Sequence, residues 1–398
     1  MNDERLTTDE VAERAGVSPA TLRRWVKGGL IPQLDDGAGG SWSPAAAAQA
    51  RVVARLRDRG HTIEQIRTAT EDGRLAFGFV EELLPGEDGD ASLKDVAKAS
   101  GLAPALIERL WSSFGLPGQD LDAMSQDDVE AMREAAGVLS TGLPLVASLQ
   151  LARIYGQALS QIADAEVRLI HLYVHEPLMR EGVPGLRMAE QMEDLARDLL
   201  PRSSTLMDYL HRRFLAHFVA QDVVGHMEVE LDAEVDLGRL RVGVCFCDLA
   251  GYTRFTEEEG DEQALSFVER FVDRVSESLP DDARVIKTIG DEVMIVGQDI
   301  QALTEWAVGF QHDFGERPEP RIGIHYGAAL YRDGDYFGRE VNLASRVVAR
   351  ARGGEVLATD AVVDHVGGSG LLAFEGIGQV KLKGFDEPRQ LCRVTGTA

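Results

Sequence analysis

The stretch "ARVIKTIGDEVMIVG", Ala283 to Gly297, decides the fold of the C-terminal part of this chain. Two short apolar runs, at residues 285–289 and 293–296, flank a Gly-Asp pair. Apolar runs on both sides of such a pair predict two strands joined by a tight turn. The sequence therefore predicts a β-hairpin here.

Charged residues occupy unusual places in this hairpin. Lys287 interrupts the first strand, although strand interiors favour β-branched and aromatic residues. Two acids, Asp291 and Glu292, stand at the turn. One interpretation is a solvated hairpin edge, and the other is a site for a charged substrate in which Lys287 and Asp291 take part. Glu292, an extra acid beside Asp291, would either alter a metal preference or face solvent, and we favour solvent.

Strands and helices alternate on both sides of the hairpin, from Arg241 to the C-terminus. The strand "RVGVCFCDL" and a long helix precede it, and a helix, the strand "RIGIHYGAAL", the helix "GREVNLASRVVARA" and closing strands follow. This mixed order, with a hairpin inside it, predicts an α+β domain with a mixed sheet.

A second acid lies at the end of a buried strand in this domain. Asp248 ends "CFCDL", and the turn "LAGYT" that follows exposes backbone N–H groups of Gly251, Tyr252 and Thr253 near a helix start. Such a turn is suited to binding an anion. Asp248 and Asp291 at neighbouring strand ends are suited to a hard divalent cation that also contacts substrate phosphates.

Composition limits the remaining possibilities. The chain has 398 residues, 44% of them hydrophobic, with a net charge of −25 and three cysteines. The length predicts two or three domains, and the negative charge opposes general affinity for nucleic acid. Because "MNDERLTTDE" lacks a basic and an apolar signal region, and no long apolar run exists, we expect a cytoplasmic protein without membrane segments.

The N-terminal residues form a different module. "LTTDEVAERAGVSPATLRRWVKGGLIP" predicts helix, turn and helix, with Ser18 and Pro19 starting the second helix and two glycines ending it. Residues 1–80 carry 11 basic and 11 acidic residues, so the net charge lies elsewhere. The module resembles the helix-turn-helix of MerR-type regulators, with the loop "DDGAGGSW" in its wing. That resemblance implies four candidate DNA contacts: Thr21, Arg23, Arg24 and Lys27.

The helix-turn-helix pattern recurs 85 residues later. Val96-Ala97, Gly101, Pro104-Ala105 and Arg109 repeat the spacing of the first copy. Residues 91–140 hold 4 basic and 8 acidic residues, and Leu106, Ile107 and Glu108 occupy the DNA-contacting positions. We therefore expect this copy to pack against other helices, with residues 86–90 as the linker between the copies.

Residues 143–227 are helical in pattern, with breaks predicted at "REGVPG" and "LLPRSS", and suit a bundle or a dimer contact. His171 and His175 are four residues apart, which is metal-ligand spacing, although packing or surface histidines are the commoner case. Together with His211, His217 and His226 they also suggest a proton-sensitive segment, with scattered solvated histidines as the alternative.

Three segments together resemble class III nucleotidyl cyclases. "FCDLAGYTRFT", "IKTIGDEVM" and "DYFGREVNLASRV" match the signature segments of that family in order and spacing. The resemblance covers residues 241–394 and implies a ferredoxin-like βαββαβ core, active as a head-to-tail homodimer with ATP sites at the interface. The expected domains are a MerR-like domain at 1–85, a helical regulatory domain at 91–230 and a cyclase catalytic domain at 238–398.

The same resemblance implies a role for each matching residue. Asp248 and Asp291, with the carbonyl of Leu249, would hold two Mg²⁺ or Mn²⁺ ions. Lys287 and Asp335 of the partner chain would bind adenine, Asn342 would position the ribose, and Arg346 would stabilise charge on the α-phosphate. Lys383 would contact the terminal phosphates. Lys287 and Asp335 favour ATP over GTP, for which an acid and a cysteine are typical.

Two functions follow from these predictions. The first is an adenylate cyclase that forms cyclic AMP and pyrophosphate by two-metal in-line displacement, regulated by its helical N-terminal half. The second is a MerR-like transcription regulator whose cyclase-like domain only senses nucleotide.

Overall fold

The computed structural model describes residues 6–31, 42, 44–76, 78, 80, 84, 89–116, 121, 123–183, 185–228, 239–368 and 370–397. The chain divides into two compact units, Met1–Phe214 and Leu215–Ala398. Among the described residues, no helix combines the length and the apolar character needed to cross a membrane.

The N-terminal unit is mainly helical in its described residues, as predicted, with two isolated β-bridges, Leu6–Trp42 and Ala91–Met124. A π-helical turn, His171–His175, links its eighth and ninth helices, and its last helix continues into the C-terminal unit. The helices are α1 (Thr8–Arg14), α2 (Pro19–Lys27), α3 (Pro44–Asp58), α4 (Ile63–Glu71), α5 (Leu93–Ser100), α6 (Pro104–Phe114), α7 (Gln126–Ser140), α8 (Leu145–Ile170), α9 (Glu176–Arg180) and α10 (Gly185–Glu228).

The first two helices form the predicted helix-turn-helix. The Ser18 hydroxyl accepts the Thr21 N–H and caps α2, and Pro19 occupies its first turn. Leu22 and Trp25 of α2 are buried in a core shared with α1 and α3. The predicted wing lies almost wholly outside the described residues, as does most of the linker at 86–90.

The second copy folds in the same way but uses its second helix for packing. Ser92 caps α5, and Gly101 adopts the left-handed conformation at its end. Ile107 of α6 is fully buried and Leu106 packs against the same core. Two of the three residues at the DNA-contacting positions of this copy are therefore held by its own core.

One predicted helix break is wrong. The segment "LLPRSS" does not end a helix, because α10 continues through Pro201. A proline inside a helix costs about 3 kcal/mol. Ion pairs between residues one helical turn apart, Arg197–Glu193 before the proline and Arg202–Asp198 across it, each offset part of that cost.

The C-terminal unit, after the last turns of α10, is an α+β domain around one mixed sheet. Its elements are β1 (Arg239–Leu249), α11 (Tyr252–Glu259), α12 (Asp261–Ser278), β2 (Arg284–Ile289), β3 (Glu292–Gly297), α13 (Ile300–Asp313), β4 (Pro320–Arg332), β5 (Asp335–Phe337), α14 (Arg339–Val348), β6 (Val356–Thr359), α15 (Asp360–Val366), β7 (Leu372–Val380) and β8 (Arg389–Gly396).

The sheet has the strand order β2-β3-β1-β4-β6-β8-β7, and β5 pairs with the far end of β4. Strands β2, β3, β1 and β4 pair antiparallel with one another and, with α12 and α13, give the expected βαββαβ core, whereas β4 pairs parallel with β6. Both faces of the central strand β1 are buried. Cys245 and Cys247 pack on the side of α12 and α13, whereas Val244 and Phe246 pack on the side of α14.

Candidate active site

The predicted carboxylates converge at one end of the hairpin and its neighbour. The hairpin forms as predicted, with Gly290 in the left-handed conformation at its turn and Asp291 directly after it. Strand β3 pairs with β1 so that Glu292 lies opposite Asp248. Asp248 and Glu292 therefore lie side by side on the α14 face of this sheet end, and Asp291 lies beside them in the turn.

An arginine that the sequence analysis did not identify neutralises one of them. Arg321 lies directly opposite Asp248 in the register of β1 and β4. Its Nε donates to Oδ2 of Asp248 at 2.6 Å, and a second guanidinium nitrogen contacts the same oxygen. The Asp248 carboxylate is largely buried, so this pair compensates a charge that water does not reach. The signal in the sequence was a lone cation at the start of the buried strand "RIGIHYG".

The remaining negative charge changes the titration of Asp291. Burial, and then the charge of Asp248 and a hydrogen bond shared with it, raise the pKa of Asp291 to about 6. Like charges close together disfavour ionisation of both. A divalent cation is the natural partner of such a site, because it would compensate both carboxylates at once.

Glu292 does not simply face solvent, which corrects our expectation. Its side chain is partly buried, and burial followed by the charges of Asp248 and Asp291 raises its pKa. Arg321 and Arg346 act in the opposite direction. The expectation failed because a turn residue appears exposed in the sequence, whereas the pairing with β1 turns this one toward the Asp248 carboxylate.

Lys287 and Asp335 come together from two separate hairpins. Lys287 lies on β2 and Asp335 begins β5, and the Lys287 ammonium forms an ion pair with Oδ2 of Asp335. Oδ1 of the same carboxylate accepts the Tyr336 N–H at 2.7 Å. A hydrogen-bond donor and an acceptor are thus held side by side.

Helix α14 presents Asn342 and Arg346 one turn apart, and both are exposed. The helix packs very closely on β4, because a Cβ at Gly323 would lie 2.2 Å from the Val348 nitrogen. This contact fixes the helix on the sheet. Among the described residues the Arg346 guanidinium forms no hydrogen bond or ion pair, although its charge acts on Glu292, so it is available to an anion.

The remaining predicted residues lie on loops and turns. Gly251, with φ of +82°, precedes α11, whose first turn contains Tyr252 and Thr253. Leu249 ends β1 and is fully buried. Lys383 lies exposed in the turn between β7 and β8, and no contact places it with the residues above.

A buried polar network joins α14 to the sheet, and the sequence analysis did not identify it. His325 of β4 is 5% exposed; its Nδ1 lies 2.8 Å from Thr359 Oγ1 and its Nε2 2.5 Å from Glu340 Oε2. Glu340 belongs to the first turn of α14. Burial lowers the pKa of His325, although Glu340 opposes that effect. No sequence pattern pointed to this network.

In the N-terminal unit, His171 and His175 contact each other, and His175 packs against the end of another helical segment. His175 is buried, with its Nε2 2.9 Å from the Gly73 carbonyl oxygen and its Nδ1 3.1 Å from Nδ1 of His171. Across the described part of the chain, no group of three or more His, Cys, Asp or Glu side chains is placed to hold a metal, the three carboxylates at the sheet end included, so the candidate cation site there rests on the pair Asp248 and Asp291. On α2, Arg23, Arg24 and Lys27 are exposed and Thr21 is partly buried.

The family models that match this chain agree with its division into a helical part and an α+β part. The model of the adenylate cyclase regulatory domain matches residues 30–219, and that of the adenylate and guanylate cyclase catalytic domain matches residues 239–393. The MerR family regulatory protein model matches residues 7–42. The fold and the paired carboxylates thus define a cyclase-type protein with a helical N-terminal half.

The similarity extends over most of the chain. An adenylate cyclase of Streptomyces coelicolor is 30% identical over 72% of this chain and 74% of its own length. An uncharacterized protein of Mycobacterium tuberculosis is 30% identical over 85% of this chain and 88% of its own. A pH-sensitive adenylate cyclase of the same species is 29% identical over 84% of each. The chain belongs to the class III adenylate cyclase family.

Among solved structures, the adenylyl cyclase CyaB from P. aeruginosa is 24% identical and aligns with 40% of this chain and 96% of its own, with a TM-score of 0.37.

Proposed function

We propose that this protein converts ATP to 3′,5′-cyclic AMP and pyrophosphate. The observation that carries the proposal is the meeting of Asp248 and Asp291 at one sheet end, where burial and then the charge of Asp248 raise the pKa of Asp291. Two acids held this close, with one arginine to balance them, favour a divalent cation as the missing partner.

Two Mg²⁺ or Mn²⁺ ions would be held by Asp248, Asp291 and the carbonyl oxygen of Leu249. When bound, the ions supply Lewis acidity that makes the ribose 3′-hydroxyl a better nucleophile and offsets the charge of the phosphates. The other roles fall to side chains of the protein. The N–H groups at Gly251, Tyr252 and Thr253 are suited to phosphate oxygens because they begin a helix.

The base, the ribose and the reacting phosphate each have a candidate partner. Lys287 would donate to an adenine ring nitrogen while Asp335 accepts from the exocyclic amine. Asn342 would hold the ribose so that its 3′ oxygen faces the α-phosphorus. The new oxygen–phosphorus bond forms as the bond to pyrophosphate breaks, and Arg346 would stabilise the charge that develops on the α-phosphate. Lys383 is a candidate contact for the departing phosphates.

We further propose that the site is completed by a second copy of the chain. The exposure of Asn342 and Arg346, neither of whose side chains is held in a hydrogen bond or ion pair among the described residues, supports a ligand approaching from outside. In a homodimer, Asp248 and Asp291 of one chain would act with Lys287, Asp335, Asn342 and Arg346 of the other.

The activity is tested by incubating the purified full chain with Mn-ATP and measuring cyclic AMP and pyrophosphate. We expect equal amounts of both products, and a loss of more than about a hundredfold for Asp248→Asn, which keeps the shape but removes the charge. Arg254→Gln is the matched control, because Arg254 is an exposed cation whose ion pair within the described residues is with Glu258 on α11. Wild type that forms no cyclic AMP would refute the proposal.

The dimer is tested by mixing two inactive variants, Asp248→Asn and Arg346→Ala. If each site takes acids from one chain and Arg346 from the other, random pairing restores about a quarter of the wild-type activity. If all the residues of a site come from one chain, the mixture stays inactive.

Regulation by the helical half is also a proposal. We propose that residues 143–227 set the arrangement of the catalytic domains, and histidine protonation is one candidate trigger. His175 is already engaged by Gly73 and His171, so the exposed His211 and His217 are the better candidates. The comparison is the pH profile of the full chain against that of a chain starting near residue 232. Identical profiles would end the idea.

A second candidate function is sequence-specific DNA binding by α2. The exposed Arg23, Arg24 and Lys27, together with the MerR match at residues 7–42, favour it. We expect salt-dependent retardation of DNA by wild type and its loss in the Arg23→Ala/Arg24→Ala variant. An absence of retardation by wild type at low salt would rule it out. The cyclase assay also distinguishes the two alternatives for the C-terminal domain: formation of cyclic AMP indicates an enzyme, and its absence favours a domain that only senses nucleotide.

A further inference from the structure

The last turns of α10 contact the first residue of β2, and both belong to the C-terminal unit. The guanidinium of Arg284 lies over the Phe218 ring, 5.1 Å from its centroid. One turn further along, the Gln221 side-chain amide donates to the Asp281 carbonyl oxygen just before β2. Two contacts therefore join this part of the helix to the start of the edge strand.

Arg284 makes a second contact on its other side. Its Nη2 donates to the Tyr336 hydroxyl at 3.0 Å, and the guanidinium lies 5.8 Å from the centroid of the Tyr336 ring. Tyr336 is only 4% exposed, so this hydroxyl has little access to water. The arginine is thus held between an aromatic ring of α10 and a buried tyrosine of β5.

A β-bulge directs Arg284 and Lys287 to the same face of the sheet. In a regular strand, residues three apart point to opposite faces. Here Arg284 pairs with Val296 and Lys287 with Met294, so Ile286 is an extra residue in β2. Both cations consequently face the side where Tyr336 and Asp335 lie.

These contacts form a closed chain around the adenine-binding pair. The Tyr336 N–H holds Oδ1 of Asp335, and the Lys287 ammonium holds its Oδ2. The Tyr336 side chain is in turn held by Arg284, which shares β2 with Lys287. A displacement of Arg284 would therefore shift Tyr336 and, with it, the Asp335 carboxylate. It would also shift β2 and, with it, the Lys287 ammonium.

We infer that Arg284 is a positioning residue that sets the spacing of Lys287 and Asp335, and that Phe218 of α10 holds it in place. The inference rests on the proposed cyclase function, in which this pair binds the base. It makes nucleotide selectivity depend on a helix that contributes no residue to the site. It also links the last turns of α10 to the base-binding pair within the C-terminal unit.

The experiment compares KM, kcat and the ATP-to-GTP preference of full-length variants. Arg284→Met keeps the aliphatic stem but leaves the buried Tyr336 hydroxyl unpaired, so we expect KM for ATP to rise and the preference for ATP to fall by about tenfold, with kcat changed much less. Phe218→Leu removes only the ring and should raise KM by about two- to fivefold. Val219→Ala, on the neighbouring exposed residue, is the matched control and should change neither.

Tyr336→Phe provides a second, milder variant should Arg284→Met fold poorly. Because Arg284 and Tyr336 act through one hydrogen bond, the double variant Arg284→Met/Tyr336→Phe should be no worse than the worse single variant. Effects that add, or an ATP-to-GTP preference unchanged in Arg284→Met, would overturn the inference. A merely structural role would lower the melting temperature without changing that preference.

Equilibrium binding separates this inference from the proposed function. Absence of cyclic AMP formation by wild type refutes the function alone. The inference is then decided by titrating wild type, Arg284→Met and Val219→Ala with Mn-ATP and Mn-GTP. Selective loss of ATP affinity in Arg284→Met alone supports it, and equal affinities in all three chains refute it.

Discussion

Arg321 on β4 and Asp248 on β1 form an ion pair across the sheet, with Nε of the arginine donating to Oδ2 at 2.6 Å. The two residues are opposite each other in the antiparallel register, so the backbone itself brings them together. The carboxylate proposed to hold metal is therefore balanced by a cation of its own chain. This arrangement reduces the cost of burying a charged group near a second acid.

Removing Arg321 should destabilise the metal-free protein and make it more dependent on metal. Arg321→Met leaves Asp248 uncompensated beside Asp291, at a cost of about 2 kcal/mol given the partial exposure of the pair. We expect the melting temperature in EDTA to fall by about 5 °C. Mn²⁺ should restore most of that loss, because the cation replaces the missing charge.

Arg321→Lys is the control for this experiment, since it keeps the charge but not the two-nitrogen contact. Its melting temperature in EDTA should lie between those of wild type and Arg321→Met. Equal melting temperatures for wild type and Arg321→Met in EDTA would contradict the prediction.

The raised pKa of Asp291 predicts a pH-dependent stability. Since its folded-state pKa, about 6, lies above its value in an unfolded chain, ionised Asp291 opposes folding. The cost is fully present above pH about 6 and disappears as the pH falls toward about 4. Discounted for partial exposure, it is about 1 kcal/mol.

Asp291→Asn should therefore melt about 2–4 °C above wild type in EDTA at pH 8, and close to it at pH 4.5. Thermal unfolding of both chains across this range measures the difference. The same offset at both pH values would show that ionisation of Asp291 is not its source.

Lys287 and Asp335 should behave as one unit in nucleotide binding. Lys287→Met or Asp335→Ala alone leaves an unpaired, partly buried charge where the base would bind, so each should raise KM for ATP by about tenfold. The double variant should lose less than the sum of the two single losses, because the partners interact directly. Steady-state kinetics of the four chains gives the coupling. Additive losses would mean that the two residues act independently.

The His325 network should stabilise α14 in a pH-dependent manner. Because burial lowers the pKa of His325, the neutral ring contributes stability above the ordinary value of about 6.5, and the contribution is lost as the pH falls below it. His325→Leu leaves Glu340 and Thr359 without this partner, so we expect a loss of about 2 kcal/mol at pH 8 and a smaller difference at pH 5.

Unfolding of wild type and His325→Leu at the two pH values tests this prediction. A Leu variant whose kcat falls at unchanged KM for ATP would further indicate that the network positions Arg346 through α14. A loss of stability equal at pH 5 and pH 8 would mean that the proton on His325 is not involved.

Local patterns were sufficient for most elements of this fold. The hairpin, the cap at Ser18 and the alternation of strands and helices follow from interactions between residues close in sequence, whereas the βαββαβ order was implied by the family resemblance. The break predicted at Pro201 was wrong, because a proline's local penalty was outweighed along α10. The exposure expected for Glu292 was wrong, because burial depends on a strand 44 residues away.

The sequence by itself determined which residues carry charge at strand ends, and hence the class of chemistry. Only the tertiary structure decided which charges meet. Three hydrogen-bonded pairs join residues far apart in sequence: Arg321 and Asp248 are separated by 73 residues, His325 and Thr359 by 34, and Arg284 and Tyr336 by 52. Such pairs depend on register, bulges and helix packing, which are set by the whole sheet. A local pattern reports only the backbone's own periodicity, so these partners could not be predicted from it.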